Sequence, residues 1–534
     1  MLGRDCFKTV LGLFFGSLLF LQFISIPVSA ITSQESGSTW NQQVNANRML
    51  ADIEMLASNP FQGRYAGTAG DKLTQDYLND QLDNLSSVIP LTSRNDFKQL
   101  FDITPWSVAI NPVNLTIAGK TLVYGQDYID LTFSGNSSVF TPAEIVFAGY
   151  SISTDGYDDY GTLNVAGKIV VACRGTPSGI SYEYGYYGVK AEAAYSHGAS
   201  GLIVVLHPNS GSDSFRKGTL TPGYFIPGMG TLSAKRSSLE SLNLNITEWI
   251  NDLDSSLSSS SSYQGSKSRT TGIFATMQVT AHYEEEVESA NVLGKFQGAT
   301  NGNSERAIII SAHHDHQGQT LTGDTYPGAD DDASGVAVTL EVARVLDYLY
   351  QKYEFRRSII IAFWGAEEIG LLGARHFASN ESLFPLGQTD LVLQLDMVGL
   401  GPVDGTLVID EGQYFPDVVE TVERAALKHG SVNSVAVGNG GSDHLAFLEK
   451  GVPGVCFFWD DISTHPDYHT PLDTADLIDP VILEKVALTT VGYLFESGAI
   501  VEDTTSTVNL IEAVIIITTI GVVVIYVIWF IKKK

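Results

Sequence analysis

The 534-residue chain is too long for a single ordinary hydrophobic core, so two or more domains are expected. Hydrophobic residues make up 44% and charged residues 17%, which excludes a chain too polar to fold. The formal net charge of −29 repels phosphate backbones and argues against a nucleic-acid partner, while naming no substrate.

In chain order, Arg4 and Lys8 precede an apolar run from Val10 to Val28, and Val28-Ser-Ala30 is the small-residue pattern that a signal peptidase reads. Residues 1–30 are therefore expected to be a signal peptide, with an uncleaved anchor as the alternative. Cys6 falls inside it. The remaining cysteines, Cys173 and Cys456, cannot be paired from sequence, and a chain this poor in cysteine does not rely on a disulfide framework.

A helical pattern around Val44–Leu56 is broken by Asn59-Pro60, and Gly63, Gly67 and Gly70 mark a turn-rich loop before a second helix over Asp71–Leu85. Short β-like runs follow from Phe97 to Phe147. A different unit is expected over 134–254, where buried strands at Glu144–Tyr150, Gly167–Arg174 and Gly201–Leu206 flank a helix at Lys190–His197. A serine-rich linker at 255–269 cannot bury a core. From 270 to 500 the pattern alternates regularly. Strands are predicted at Ala307–Ala312, Ser358–Trp364, Leu391–Met397 and Val455–Trp459, and helices at Ala333–Tyr350, Gly370–Ala378, Asp417–Lys428 and Pro480–Ser497. Such alternation predicts an α/β domain with a mixed, largely parallel central sheet flanked by helices. After a short linker at 501–510, Ile511–Ile531 is apolar except for Glu512, carries Tyr526 and Trp529, and ends in Lys532, Lys533 and Lys534. That is the pattern of one membrane span with a cytoplasmic tail at 532–534, contacting membrane lipid and holding the rest outside the cytoplasm at the cell membrane.

The residues that carry chemistry follow the predicted strands, where the functional crevice of an open α/β sheet lies. In Ser311-Ala-His-His-Asp-His316, an extended backbone would turn His313 and Asp315 toward one side. Gly328-Ala-Asp-Asp-Asp-Ala-Ser-Gly335 sets three carboxylates in a row, which repel one another unless a cation or hydrogen bonds compensate. Trp364-Gly-Ala-Glu-Glu-Ile-Gly370 offers two acids pointing apart, so one can bind metal while the other faces a water. Asp396 is a lone acid inside the apolar run Gln394-Leu-Asp-Met397, and Tyr468-His-Thr-Pro471 adds a further imidazole. Each piece alone is commonly a solvated turn or a helix-start feature. Together, mixed imidazole and carboxylate donors at this acid density suit two zinc ions.

These blocks, with Gly441-Ser-Asp-His444 and Tyr468-His-Thr-Pro-Leu-Asp473, agree in order and spacing with one family. The segment from Asn291 to Asp473 resembles the co-catalytic di-zinc aminopeptidases of metallopeptidase family 28, of the bacterial leucyl-aminopeptidase type. Leu56-Ala-Ser-Asn-Pro-Phe-Gln-Gly-Arg-Tyr-Ala-Gly-Thr68 looks like that family's opening segment, and residues 134–254 resemble an inserted β-rich protease-associated (PA) domain. The resemblance implies a zinc-exopeptidase (phosphorylase/hydrolase-like) fold in which 31–133 and 270–500 form the peptidase domain. It implies two Zn2+ ions held by His313 with Asp396 and by Glu368 with His469, bridged by Asp331, and a cis Asp331–Asp332 peptide. It also implies Glu367 as general base and then acid, Asp315 orienting His313, and Tyr468 as a candidate to hold the oxyanion; His314, His316, His444 and His465 are left as non-ligands. The substrates would be peptides with a free amino terminus. Three alternatives remain. A carboxypeptidase would need a cationic clamp, a glutaminyl cyclase would use one zinc and an altered ligand set, and a silent receptor-like ectodomain would have lost ligands. The inserted domain either covers the active-site mouth or is a spacer.

Overall fold

The structure, a computed structural model, describes residues 40–502 apart from 93–95, 104–105, 132–133, 162, 211–212, 216–225, 227, 258–262, 285–286, 301–304 and 320–322, together with 523, 527 and 529–532 near the C-terminus. The expected signal peptide and nearly all of the expected membrane span lie outside these residues. Among the described residues no helix is long and apolar enough to cross a membrane.

Among the described residues from Val44 onward, the fold is built on two large sheets, with two small ones of three and two strands beside them. The first has nine strands: β1 (Ile89–Pro90), β2 (Lys98–Ile103), β3 (Val287–Phe296), β4 (Ala307–His313), β5 (Ser358–Trp364), β6 (Thr389–Leu395), β7 (Leu407–Asp410), β8 (Val435–Gly438) and β9 (Gly454–Trp459). They run in the order β1-β3-β5-β4-β6-β9-β7-β8, with β2 also paired to β3. The four central strands β5, β4, β6 and β9 are mutually parallel, while β3 joins β5 and β7 joins β9 antiparallel. The sheet is thus mixed with a parallel centre, as the alternation predicts. Every residue of β4 and β5 is buried, because helices cover both faces of a parallel sheet.

Three helices, α1 (Ala46–Leu56), α3 (Gly335–Tyr350) and α6 (Pro480–Glu496), pack on one another in one layer. Helix α1 starts where the Asn45 side chain accepts the Asn47 and Arg48 amides, and it buries the Met49, Ile53 and Leu56 stripe. Helix α2 (Ala69–Asp83) is capped in the same way by Thr68. Alternate strand residues Leu293, Ile309, Ile360 and Val392 pack instead with Phe377 of α4 (Leu372–Ser379) and Phe447 of a short helix at His444–Leu448. Helix α5 (Pro416–Ala425) completes the expected set.

The second sheet has eight strands and takes in more chain than the sequence boundaries at 134 and 254 enclose. Its parallel centre, Ser137–Phe147, Ile169–Cys173, Gly201–Val205 and Gly230–Ala234, is flanked by Tyr128–Asp130 on one edge and by Arg269–Glu284, Trp106–Ile117 and Lys120–Thr121 on the other. The sheet therefore also takes strands from chain on both sides of the expected 134–254 segment. A β-run reads alike whichever sheet it joins, and only pairing assigns it. Cys173 is buried in this sheet and Cys456 in the first, both as free thiols.

Candidate metal centre

The candidate residues follow the C-terminal ends of the four parallel strands. His313 is the last residue of β4, Glu367 and Glu368 lie in the turn after β5, Asp396 follows β6, and His469 lies in the loop after β9. Asp331 sits in the irregular turn Ala329–Ser334 that leads into α3, and the Asp331–Asp332 peptide is cis. Several non-glycine residues in these loops take positive φ, among them Ala366 at 60°, Met397 at 56° and His469 itself at 57°. Left-handed backbone costs a β-carbon-bearing residue on the order of 1 kcal/mol, so the surroundings hold these turns against their local preference.

Asp331 divides two groups of donors. Its Oδ1 is 3.2 Å from His313 Nε2, which lies 3.7 Å from Asp396 Oδ1. Its Oδ2 is 2.9 Å from His469 Nε2, which lies 3.1 Å from Glu368 Oε2. Two buried groups with metal-ligand spacing result, one built on His316, Asp331, Glu368 and His469 and the other on His313, Asp332 and Asp396. Four donors ~2.0–2.1 Å from a tetrahedral zinc stand about 3.3 Å apart, which is the spacing observed. Asp331 Oδ2 and Glu368 Oε1 are buried without a hydrogen-bond partner, an arrangement that is costly unless a cation satisfies them. The donor set therefore fits two divalent cations sharing Asp331.

The electrostatics agree. Burial would raise Glu368, yet the imidazoles of His469 and His316 outweigh it and hold the carboxyl at about 2. Burial would likewise raise Asp331, and His316, His313 and His469 hold it well below the usual range. Burial would lower His469, and Glu368 and Asp331 lift it to about 9. Glu367 behaves oppositely. Burial, reinforced by Asp443, Glu368 and Asp396, pushes it well above the ordinary carboxylate range. Neighbouring glutamates thus differ in proton affinity, as a ligand and a base should.

The supporting contacts are more specific than sequence spacing implied. The Asp315 carboxylate accepts the Glu367 amide at 2.9 Å and the Glu368 amide at 3.3 Å, so it fixes the turn that carries both acids. It meets the His313 ring mainly through its own carbonyl, 3.2 Å from Nδ1. Asp332 turns away from the bridge, taking the His313, Gly335 and Met397 amides. The Tyr468 ring stacks on His469 with centroids 3.8 Å apart. His314 pairs with Asp71 at 3.1 Å and His465 with Asp330 at 2.6 Å, so both imidazoles are engaged outside the two groups.

Arg64 escaped the sequence reading as a site residue, and His316, left there as a non-ligand, lies within a donor group. Arg64 is fully buried and donates to the carbonyls of Leu56, His314, Pro327, Gly328 and Asp331, so it clips the opening segment to both ligand loops. His316 belongs to the Glu368–His469 group. The alternation argument favoured His313 and Asp315, but the strand ends at His313 and the chain then leaves the period-two pattern.

His444 is buried, and neither ring nitrogen has a hydrogen-bond partner. Burial lowers it to about 4 from 6.5. The unfolded chain takes up this proton below pH ~6.5 and the folded one only near 4, so stability is present above 6.5 and lost as the pH falls through that window. The contribution amounts to about 3 kcal/mol. In chelator, the drop in Tm between pH 7.5 and pH 5 should shrink in His444→Leu; an unchanged drop would remove His444 from the acid response.

The cavity over the two donor groups has a volume of about 570 Å3. Glu367, Tyr468, Val408, Phe458, Ile462 and Asp410 are among its walls, and no Lys or Arg lines it among the described residues. The profile of Peptidase family M28 matches residues 291–494, and that of the PA domain matches 137–239. Aminopeptidase YwaD of Bacillus subtilis (strain 168) is 31% identical over 228 residues, which are 42% of this chain and 47% of the relative. Aminopeptidase NAALADL1 of Mus musculus is 30% identical over 234 residues, covering 38% of this chain and 30% of the relative. The matched region thus spans less than half the length of either relative. A solved aminopeptidase from Aneurinibacillus sp. strain AM-1 superposes with a TM-score of 0.62 at 26% identity, covering 86% of this chain and 95% of that one.

Proposed function

We propose that this chain, a family M28 peptidase carrying a PA domain, is a di-zinc aminopeptidase that hydrolyses the first peptide bond of peptides with a free amino terminus. The observation that carries this reading is Asp331, whose two oxygens face two separate groups of imidazole and carboxylate donors. His313 and Asp396 would hold one zinc and Glu368 and His469 the other. When bound, the zincs would polarise the scissile carbonyl and make water a stronger acid.

The rest of the work falls to side chains. Glu367 opens onto the cavity and has the raised proton affinity of a base. It takes the proton of the attacking water and returns it to the departing amine. Asp315, holding the Glu367 and Glu368 amides, sets the angle between base and ligand. Tyr468 lines the cavity and would donate to the carbonyl oxygen as negative charge develops there. The substrate amine, positive in water, is drawn to an acidic cavity whose walls, among the described residues, hold no Lys or Arg. The same lack of a cationic clamp disfavours binding a peptide by its terminal carboxylate.

The test is a panel of aminoacyl and N-acetylated aminoacyl anilides with the purified protein. Free-amine substrates should be cleaved at least ~100-fold faster than blocked ones, since the charged amine is the element recognised. A chelator should abolish turnover, and added Zn2+ should restore it. Cleavage of the blocked set at equal rates, or of C-terminal residues instead, would overturn the aminopeptidase reading. We propose a location outside the cytoplasm at the cell membrane, a reading supported by the two apolar runs in the sequence.

A further inference from the structure

We infer that the imidazole of His316, through Nδ1, is a fourth protein ligand to the cation held by Asp331, Glu368 and His469. This rests on the two-cation reading above and adds a donor to it. His316 is completely buried; its Nε2 has no hydrogen-bond partner, and its Nδ1 faces carboxylate oxygens without a well-aligned hydrogen bond. Such a ring is costly to bury unless something engages it. Its Nδ1 lies 2.8 Å from Glu368 Oε1 and 3.6 Å from Asp331 Oδ2, and both oxygens also lack a hydrogen bond. These unpartnered atoms converge on one point. His469 approaches the same two carboxylates through their Oε2 and Oδ2 atoms at 3.1 and 2.9 Å. The edges of the set, 2.8 to 3.6 Å, bracket the ~3.3 Å expected between donors of a tetrahedral zinc.

The fold also makes room for this ring. Gly328 has φ +59°, and a β-carbon there would stand 2.4 Å from the His316 ring and 2.3 Å from the Asp331 carbonyl oxygen. The His316 amide is tied to the Arg64 carbonyl at 3.3 Å, which fixes the ring's base. With His316 included, the Glu368 side has four protein donors and is closed. The His313 side, with Asp332 spent on backbone amides, has His313, Asp396 and one oxygen of Asp331, leaving a position open for reactants. The two sides would therefore be unequal, the His313 side having fewer protein donors than the Glu368 side.

The experiment is stepwise loading of the metal-free full-length protein with Zn2+, read by chelator competition and by X-ray absorption at the zinc edge. Two binding steps are expected. The tighter should show two imidazoles per zinc in the wild type and one in His316→Ala, with its affinity lowered at least ~10-fold. One imidazole at the tight step of the wild type would overturn the inference even if His316→Ala weakened binding, because His316 would then act only by holding Glu368. The wild-type measurement needs no variant, so a folding failure leaves the test intact. If the wild type bound no zinc or only one, the di-zinc reading itself would fall, whereas two ions with one imidazole each would sink only the His316 ligand.

Discussion

Glu367→Gln should lower kcat by roughly 10^3-fold while leaving KM within a few-fold and metal content unchanged, since general base catalysis is typically worth 10^2 to 10^4. Gln has nearly the same volume and keeps the backbone amide that Asp315 accepts, so the turn should hold its shape. The lost property is the ability to take and return a proton. Glu367 faces the cavity, whereas its neighbour Glu368 contacts His316 and His469, so the variant removes the base without touching the proposed ligands. Elemental analysis beside steady-state kinetics on an aminoacyl anilide checks it. Turnover at the wild-type rate with metal bound would assign the proton transfer to another group.

The second large effect belongs to Asp331. Asp331→Asn should bring the metal content well below two per chain after dialysis and remove measurable turnover. This carboxylate faces both donor groups, and a neutral amide cannot give an anionic oxygen to each. Metal ligation stabilises whatever fold presents the ligands, so the wild-type Tm should fall on adding chelator, and that response should be much reduced in the variant. Retention of two ions and of the chelator-sensitive Tm would show that the donor groups do not depend on a shared bridge.

The two predictions depend on residues that were legible for a physical reason. His313, Glu367, Glu368 and Asp396 each follow a strongly apolar strand, where a charged or imidazole side chain stands out against its surroundings. The parallel centre of the sheet was legible for the same reason, through runs such as Ala307–His313 that are buried on both faces. The rest was hidden. β7 and β8 are four residues each, and β8 is half-exposed at the sheet edge, so their short apolar runs do not stand out as strands. His316 and Arg64 lie in irregular loops, where neither period two nor period 3.6 says which way a side chain points. Arg64 reads as an ordinary surface charge until five carbonyls are found around it. The true extent of the second sheet was hidden because its outer strands come from chain on both sides of the module.

The register of that junction has its own consequence. Ile103 of β2 stands opposite Val287 of β3, and the ladder resumes with Trp106 opposite Glu284. The chain thus leaves and re-enters the peptidase sheet side by side, and a two-residue hairpin turn would suffice to splice out everything between. Yet the splice would not be silent. Ala366 and Ile369, which bracket Glu367 and Glu368, share one apolar cluster with Tyr65, Val146, Val170 and Leu202. A shortened chain would close covalently but bare the underside of the catalytic turn to water, so the graft serves the peptidase as a backing plate as much as an appendage.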